Sequence, residues 1–173
     1  MIVSSAVLRR CRWLFSGSLV LLPWAVAAHD FPALTAGQSV YVPVYSSVFH
    51  GNIGADGKPS ELLLSSMLSV RNTDPKYSLV ITSVKYYDTT GQSLREYITT
   101  PKVLPPMAST DYFVEYRERF GGTGANFVVQ WKADQPINQP ILETVQVYNW
   151  GSLSKAFISR GQVIHLHENE REP

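Results

Sequence analysis

Between residues 39 and 166 the chain is written in short runs of β-branched and aromatic residues, apolar at every second position and separated by glycine or proline. That pattern constrains the fold more than any other feature. Period-two alternation sends successive side chains to opposite faces of a strand. Breakers at intervals of about 8–12 residues end each run before a helix-length apolar stripe can build up. In Ser39-Val40-Tyr41-Val42-Pro43-Val44 the valines share one face, and Pro43, lacking an N–H, puts this strand at a sheet edge or ends it. Residues 46–60 read as a loop broken by Gly51, Gly54, Gly57 and Pro59. Leu62, Leu64, Leu68 and Val70 then line one side of a strand interrupted by Ser66, with Ser65, Ser69 and Arg71 opposite. Asn72-Thr73-Asp74-Pro75 closes it with turn chemistry.

The next run, 79–88, places Val80, Thr82, Val84 and Tyr86 on one face. Asp88-Thr89-Thr90-Gly91 turns it back onto 93–99 as a hairpin. Three prolines in 101–109 make that segment a crossover between sheets. Tyr112, Val114 and Tyr116 alternate, Gly121-Gly122-Thr123-Gly124 turns, and Phe127, Val129 and Trp131 alternate again. Pro136 and Pro140 bracket a loop, Val145 and Val147 share a face in 141–148, and 157–166 is a last strand. The sum is a single all-β domain of about eight strands, a β-sandwich or a barrel. With 45% hydrophobic and 17% charged residues, there is ample apolar material for its core and disorder is excluded.

Ahead of this domain, residues 1–28 have the layout of a secretory signal. Arg9, Arg10 and Arg12 form a positive region, 13–23 a short apolar one, and Ala25-Val26-Ala27-Ala28 a small-residue peptidase site. The apolar stretch is shorter than the ~20 residues of a membrane span and contains Pro23. Cleavage is therefore expected over a retained anchor, after Ala28 or, alternatively, after Ala27. It leaves a domain at 29–166 and a polar tail at 167–173. The cut removes three of the 15 basic residues and the one cysteine, Cys11. The formal charge of +1 thus turns slightly negative, and a thiol nucleophile or Cys-ligated metal is excluded. Without a basic patch, nucleic acid is not an expected partner. The expected location is periplasmic or secreted, with membrane contact only through the transient signal.

Several blocks carry a family resemblance: Val40-Tyr41-Val42-Pro43-Val44-Tyr45-Ser46, Leu68-Ser69-Val70-Arg71-Asn72-Thr73-Asp74, Tyr86-Tyr87-Asp88-Thr89-Thr90-Gly91 and Gly121-Gly122-Thr123-Gly124-Ala125-Asn126-Phe127. They resemble those of an uncharacterised family of small exported bacterial proteins, a domain of unknown function. The middle of the chain is also similar to the strand-turn-strand of immunoglobulin-like exported domains. The resemblance implies a single immunoglobulin-like β-sandwich of about eight strands and no activity.

No catalytic constellation stands out. The glycine-rich 121–126 lacks the Lys-Ser/Thr and the helix of a phosphate loop and reads as an inter-strand turn. No Gly-x-Ser-x-Gly elbow occurs. Asp111, Glu115 and Glu118 are close in sequence, but beside Arg117 and Arg119 they read as surface carboxylates before an acid–base pair. Two expectations follow. The first is a non-enzymatic binding or accessory module without cofactor, taking an unknown protein, peptide or glycan. Its contacts would be outward aromatic rings, Tyr87, Phe113 and Trp150, since one ring of Tyr86-Tyr87 and one of Tyr112-Phe113 must face out. The alternative is a periplasmic copper protein. Cleavage after Ala28 makes His29 the first residue, so its α-amine and imidazole would chelate copper, with His50 or the His165/His167 pair as partner.

Overall fold

A computed structural model of the chain describes residues 32–166. In chain order its strands are β1 (Thr35–Pro43), β2 (Ser47–Ile53), β3 (Pro59–Leu63), β4 (Ser65–Arg71), β5 (Leu79–Tyr87), β6 (Ser93–Glu96), β7 (Lys102–Leu104), β8 (Ser109–Val114), β9 (Asn126–Ile137), β10 (Ile141–Trp150), β11 (Leu153–Arg160) and β12 (Gln162–Leu166). Among the described residues the one helical element is a 3-10 turn at Gly122–Gly124. The all-β expectation holds. Every pairing is antiparallel, in a six-stranded sheet ordered β12-β1-β9-β5-β6 with β7 also on β5, a four-stranded sheet ordered β11-β10-β4-β8, and the pair β2-β3. The signal, His29 and the tail 167–173 lie outside the described residues.

The two larger sheets share one apolar core. Val40 and Val42 of β1, Phe127, Val129 and Trp131 of β9, and Ile81 and Val84 of β5 meet Leu68 and Val70 of β4 and Tyr112 and Val114 of β8 in one buried cluster. Each such side chain contributes about 1.5–3 kcal/mol on burial. The crossover at 101–109 links β6 to β8 as expected, and lays the short β7 against β5 on its way. The chain also crosses between sheets at Gly161, where the run read as a single last strand splits into β11 and β12. A Cβ on Gly161 would sit 2.8 Å from the Val40 side chain and 3.1 Å from the Leu142 carbonyl oxygen. Only glycine fits that corner, and its N–H donates to the same Leu142 oxygen at 2.8 Å.

Five other readings are corrected; the four strands beyond the expected eight are β2, β3, β7 and the one gained by the split at Gly161, among the described residues. The 46–60 loop is the hairpin β2–β3, its tip at 54–58 closed by Gly54 N–H donating to Lys58 O at 2.8 Å; glycines that read as loop breakers here shape an exposed arm. The run 62–70 breaks at Leu64, so that β3 pairs with β2 while β4 joins β10 and β8. In β5 a bulge between Ile81 and Ser83 changes the buried phase: Leu79 and Ile81 point inward before it, Val84 and Tyr86 after it. Val80 and Thr82 therefore do not share the Val84 face. Tyr116 falls beyond β8, because the chain turns at Glu115, whose carbonyl accepts the Glu118 N–H at 3.0 Å. Finally β9 runs through Pro136 to Ile137, with Pro136 in the stretch where its register with β1 is irregular. Val145 and Val147 do share a face of β10, but the outward one; Leu142, Thr144 and Gln146 face in.

The turn after β4 is a clamp. The Asn72 side-chain amide donates to the carbonyls of Tyr77, Leu104 and Pro105 at 2.9–3.1 Å. The Asp74 carboxylate accepts from the N–H groups of Lys76, Tyr77 and Asn138 at 2.8–3.1 Å. These bonds, led by Lys76 and Asn138 and opposed by burial, hold the Asp74 carboxyl below its ordinary 3.8. Asp88 is lowered in the same direction by the N–H of Gln92 and the Thr90 hydroxyl. A carboxyl depressed in the folded chain stabilises fully above the unfolded value and loses that contribution as pH falls through the folded one. Urea midpoints should accordingly fall as pH drops from roughly 4 towards 2. In Asp74→Asn the midpoint at neutral pH should be lower and this acid slope shallower, with Asp88 supplying what remains.

Candidate functional site

Two sheets packed on one core leave edge strands where they approach each other, and here β6 ends the larger sheet and β8 the smaller. The hairpin turn 88–91 brings the chain back as β6, and the crossover returns it as β8. Between them opens a cleft of about 360 Å³, whose walls include Arg95, Tyr97, Phe113, Arg117 and Phe120. Tyr97, just past β6, spans the gap: its hydroxyl donates to the Phe113 carbonyl of β8 at 3.0 Å. Its ring packs edge-on against Tyr112 at 5.7 Å and Phe127 at 5.5 Å, and the Arg95 guanidinium lies 4.5 Å over it. Burial raises the Tyr97 phenol, with Arg95 acting the other way. Phe120 is 81% exposed at the rim, with Arg117 nearby in the same loop.

The floor is a polar network built on Tyr86. Its ring belongs to the core and packs against Phe127 at 5.2 Å, while its hydroxyl donates to Glu118 at 2.7 Å. Burial first, and the Glu118 carboxylate second, push the Tyr86 phenol far above its ordinary range, so this group is a fixed donor and not a base. The other demands on Glu118 come from the N–H groups of Phe120 at 2.6 Å and Gly121 at 3.1 Å. Thr89 donates to the Gly121 carbonyl and accepts from Gly124 N–H, both at 2.9 Å, and the Ser46 hydroxyl donates to Gly122 O at 3.2 Å. The glycine-rich segment is thus an inter-strand turn, as its sequence context implies. The Gly121 and Gly124 N–H groups, which a phosphate would need, already face the chain's own oxygens.

The residues singled out from the sequence scatter. Tyr86 and Tyr112 face the core, and Tyr87 and Phe113 face outward, as alternation requires. The outward pair do not share a site. Tyr87 is half-buried on the larger sheet beside Ser93 and Asn126, whereas Phe113 is 53% exposed on the smaller sheet and lines the cleft. Trp150 ends β10 opposite Leu153, and its side chain lies outside what is described. His50 is exposed on the β2 arm and His165 lies on β12, paired with Ser39; His29 and His167 are outside the described residues. Among the described residues no three His, Cys, Asp or Glu side chains are grouped to hold a metal. Asp111 sits on β8, while Glu115 and Glu118 belong to the turn beyond it and line the cleft. Arg95 and Phe120 have no periodic signal and become visible only when the two edges meet.

A family described as "Protein of unknown function (DUF3124)" matches residues 37–164. The chain belongs to the DUF3124 family. The DUF3124 region runs from β1 into β12 and takes in the clamp at Asn72, the cleft and the glycine turn, leaving His29 outside. A distant structural match is the crystal structure of Thermotoga maritima 1070, at 8% identity and a TM-score of 0.41 over 74% of this chain and 94% of that one. No curated protein matches the chain.

The tightest approach in the DUF3124 region is at Gly121, where a Cβ would lie 1.9 Å from the Tyr86 hydroxyl oxygen. Gly121→Ala should therefore destabilise by more than about 2 kcal/mol, and Tyr86→Phe alone by about 1–2 kcal/mol through the lost bond to Glu118. With the oxygen gone, the next neighbours of that Cβ are 2.9 Å away. The double variant should consequently be more stable than the two single losses add to, which chemical denaturation of all four proteins measures.

Proposed function

We propose that this chain is an exported, non-enzymatic binding module, an immunoglobulin-like β-sandwich whose ligand is an extended polypeptide segment of another exported protein. The observation that carries the reading is the cleft between two sheet edges, β6 and β8. An edge strand presents N–H and C=O groups to which an extended chain can add as a further strand, with its alternate side chains entering pockets. At about 360 Å³ the cleft suits one or two side chains. Tyr97, Phe113 and Phe120 supply rigid aromatic area, and Arg117 a cation for a carboxylate or a carbonyl on the incoming chain. The polar floor favours binding over chemistry, because Glu118 is held by Tyr86 and backbone N–H groups and the Tyr86 phenol keeps its proton. Two antiparallel sheets on one core support the sandwich, and the charged, apolar and small-residue order of 1–28 supports export.

Nitrogen-15 chemical shifts of the chain, titrated with randomised hexapeptide pools and separately with cello- and chito-oligosaccharides, test this. The expected result is peptide-induced shifts confined to β6, β8 and 115–120. Phe120→Ala and Arg117→Ala should each weaken binding about tenfold, or ~1.4 kcal/mol. Shifts from the sugars alone, or peptide shifts elsewhere on the chain, would overturn the reading.

A further inference from the structure

The outward face of the four-stranded sheet is ordered in rows, because its three ladders keep continuous register and cross-strand partners share a face. One row is apolar from edge to edge: Phe113 of β8, Met67 of β4, Val145 of β10 and Ile158 of β11. Its ends are the most open, with Phe113 53% and Ile158 58% exposed. The row beside it is polar and asymmetric, reading Asp111, Ser69, Glu143, Arg160 in the same strand order. Among the described residues the one ion pair is Arg71 with Glu143, at 3.6 Å. Asp111 and Arg160 stand three strand spacings apart, roughly 14 Å, too far to meet within one chain.

We infer that this face pairs two copies of the chain, stacked about a two-fold axis that runs along the strands midway between β4 and β10. That rotation exchanges β8 with β11 and β4 with β10. It lays the apolar row on itself, Phe113 over the partner's Ile158 and Met67 over the partner's Val145. In the polar row it sets Asp111 against the partner's Arg160 twice over, and places Glu143 above the partner's small, covered Ser69. The adjoining row behaves likewise, with Arg71 over the partner's Ile141, whose side chain is 49% exposed. A surface complementary to itself under one rotation is what an isologous dimer requires, and opposite charges at the two ends of a row are not needed by a face that stays in water.

The dimensions agree. Strands of six to ten residues, four abreast, cover roughly 20 Å by 25 Å before side-chain relief is counted, close to the ~600 Å² per partner at the low end of stable interfaces. Twisted sheets stack with their strands about 30° apart, which brings the central rows into closest contact. Phe113 closes the apolar row at the β8 edge and also lines the cleft, so pairing sets the partner's Ile158 at the cleft rim.

Sedimentation velocity of the whole chain across the micromolar range tests the pairing through charge exchange. The native chain should sediment as a dimer. Asp111→Arg and Arg160→Asp should each raise its dissociation constant at least tenfold, since each sets like charges opposite one another twice. The double variant carrying both changes restores opposite charges across the axis and should dimerise again. Both substitutions are on the surface, and unchanged thermal melts of the monomeric forms separate lost pairing from lost folding. A native chain that is monomeric throughout, single variants that dimerise normally, or a double variant that stays monomeric would each overturn the proposal.

Discussion

Covering one face of β9 is the constraint from which the remaining architecture follows. Phe127, Val129 and Trp131 point the same way and are at most 1% exposed. No single sheet can bury such a row, because its own neighbours β1 and β5 lie beside it and not above it. The smaller sheet supplies the cover through Leu68, Val70, Tyr112 and Val114. The chain enters that second layer through 101–109 and again through 138–140, and leaves it at Gly161. Gly161 matters for a steric reason alone: the passage between layers runs so close to Val40 and Leu142 that a methyl group does not fit.

The cleft is a by-product of the same requirement. Two sheets that share a core but end on different strands leave their edges facing one another across a gap. Here Tyr97 bridges it to the Phe113 carbonyl and Tyr86 reaches up from the core to Glu118. That second contact is where packing and polar satisfaction meet. The buried phenol needs an acceptor, the turn after β8 needs its N–H groups satisfied, and Glu118 serves both. The glycine turn can approach the phenol so closely because Gly121 has no side chain.

Much of the fold was legible because strand formation and turn chemistry are local. The valines of β1, the Phe127-Val129-Trp131 row, the Asn72–Asp74 turn and the Asp88–Gly91 hairpin are all where alternation and breakers put them. Failures came where a longer-range demand overrode the local one. Gly51, Gly54 and Gly57 look like loop residues but sit in or beside a hairpin pair, since a β2–β3 arm needs sharp turns as much as a loop does. Val80 and Thr82 follow the alternation of their run, yet a bulge of one residue reverses it. Of the candidate contacts, Phe113 reaches the cleft, but Tyr87 does not, because adjacent outward rings belong to different sheets. Arg95, Arg117 and Phe120 are ordinary loop and edge residues in sequence and gain significance only from what lies across the gap.

By itself, then, the sequence determined that this chain is all-β, several of its turns, and which side chains share a face in unbulged runs such as 40–44 and 127–131. The period of two and the dihedral limits of glycine and proline act within a few residues. Only the tertiary structure decided which of each strand's two faces is buried, which sheet each strand joins, and which edges meet. Val145 illustrates the difference. Its alternation with Val147 is plain in the sequence, but its place on an outward apolar row with Phe113, Met67 and Ile158 depends on three ladders joining segments far apart in the chain. Alternation records that two faces differ, and it takes the packing of one sheet against another to say which of them meets water.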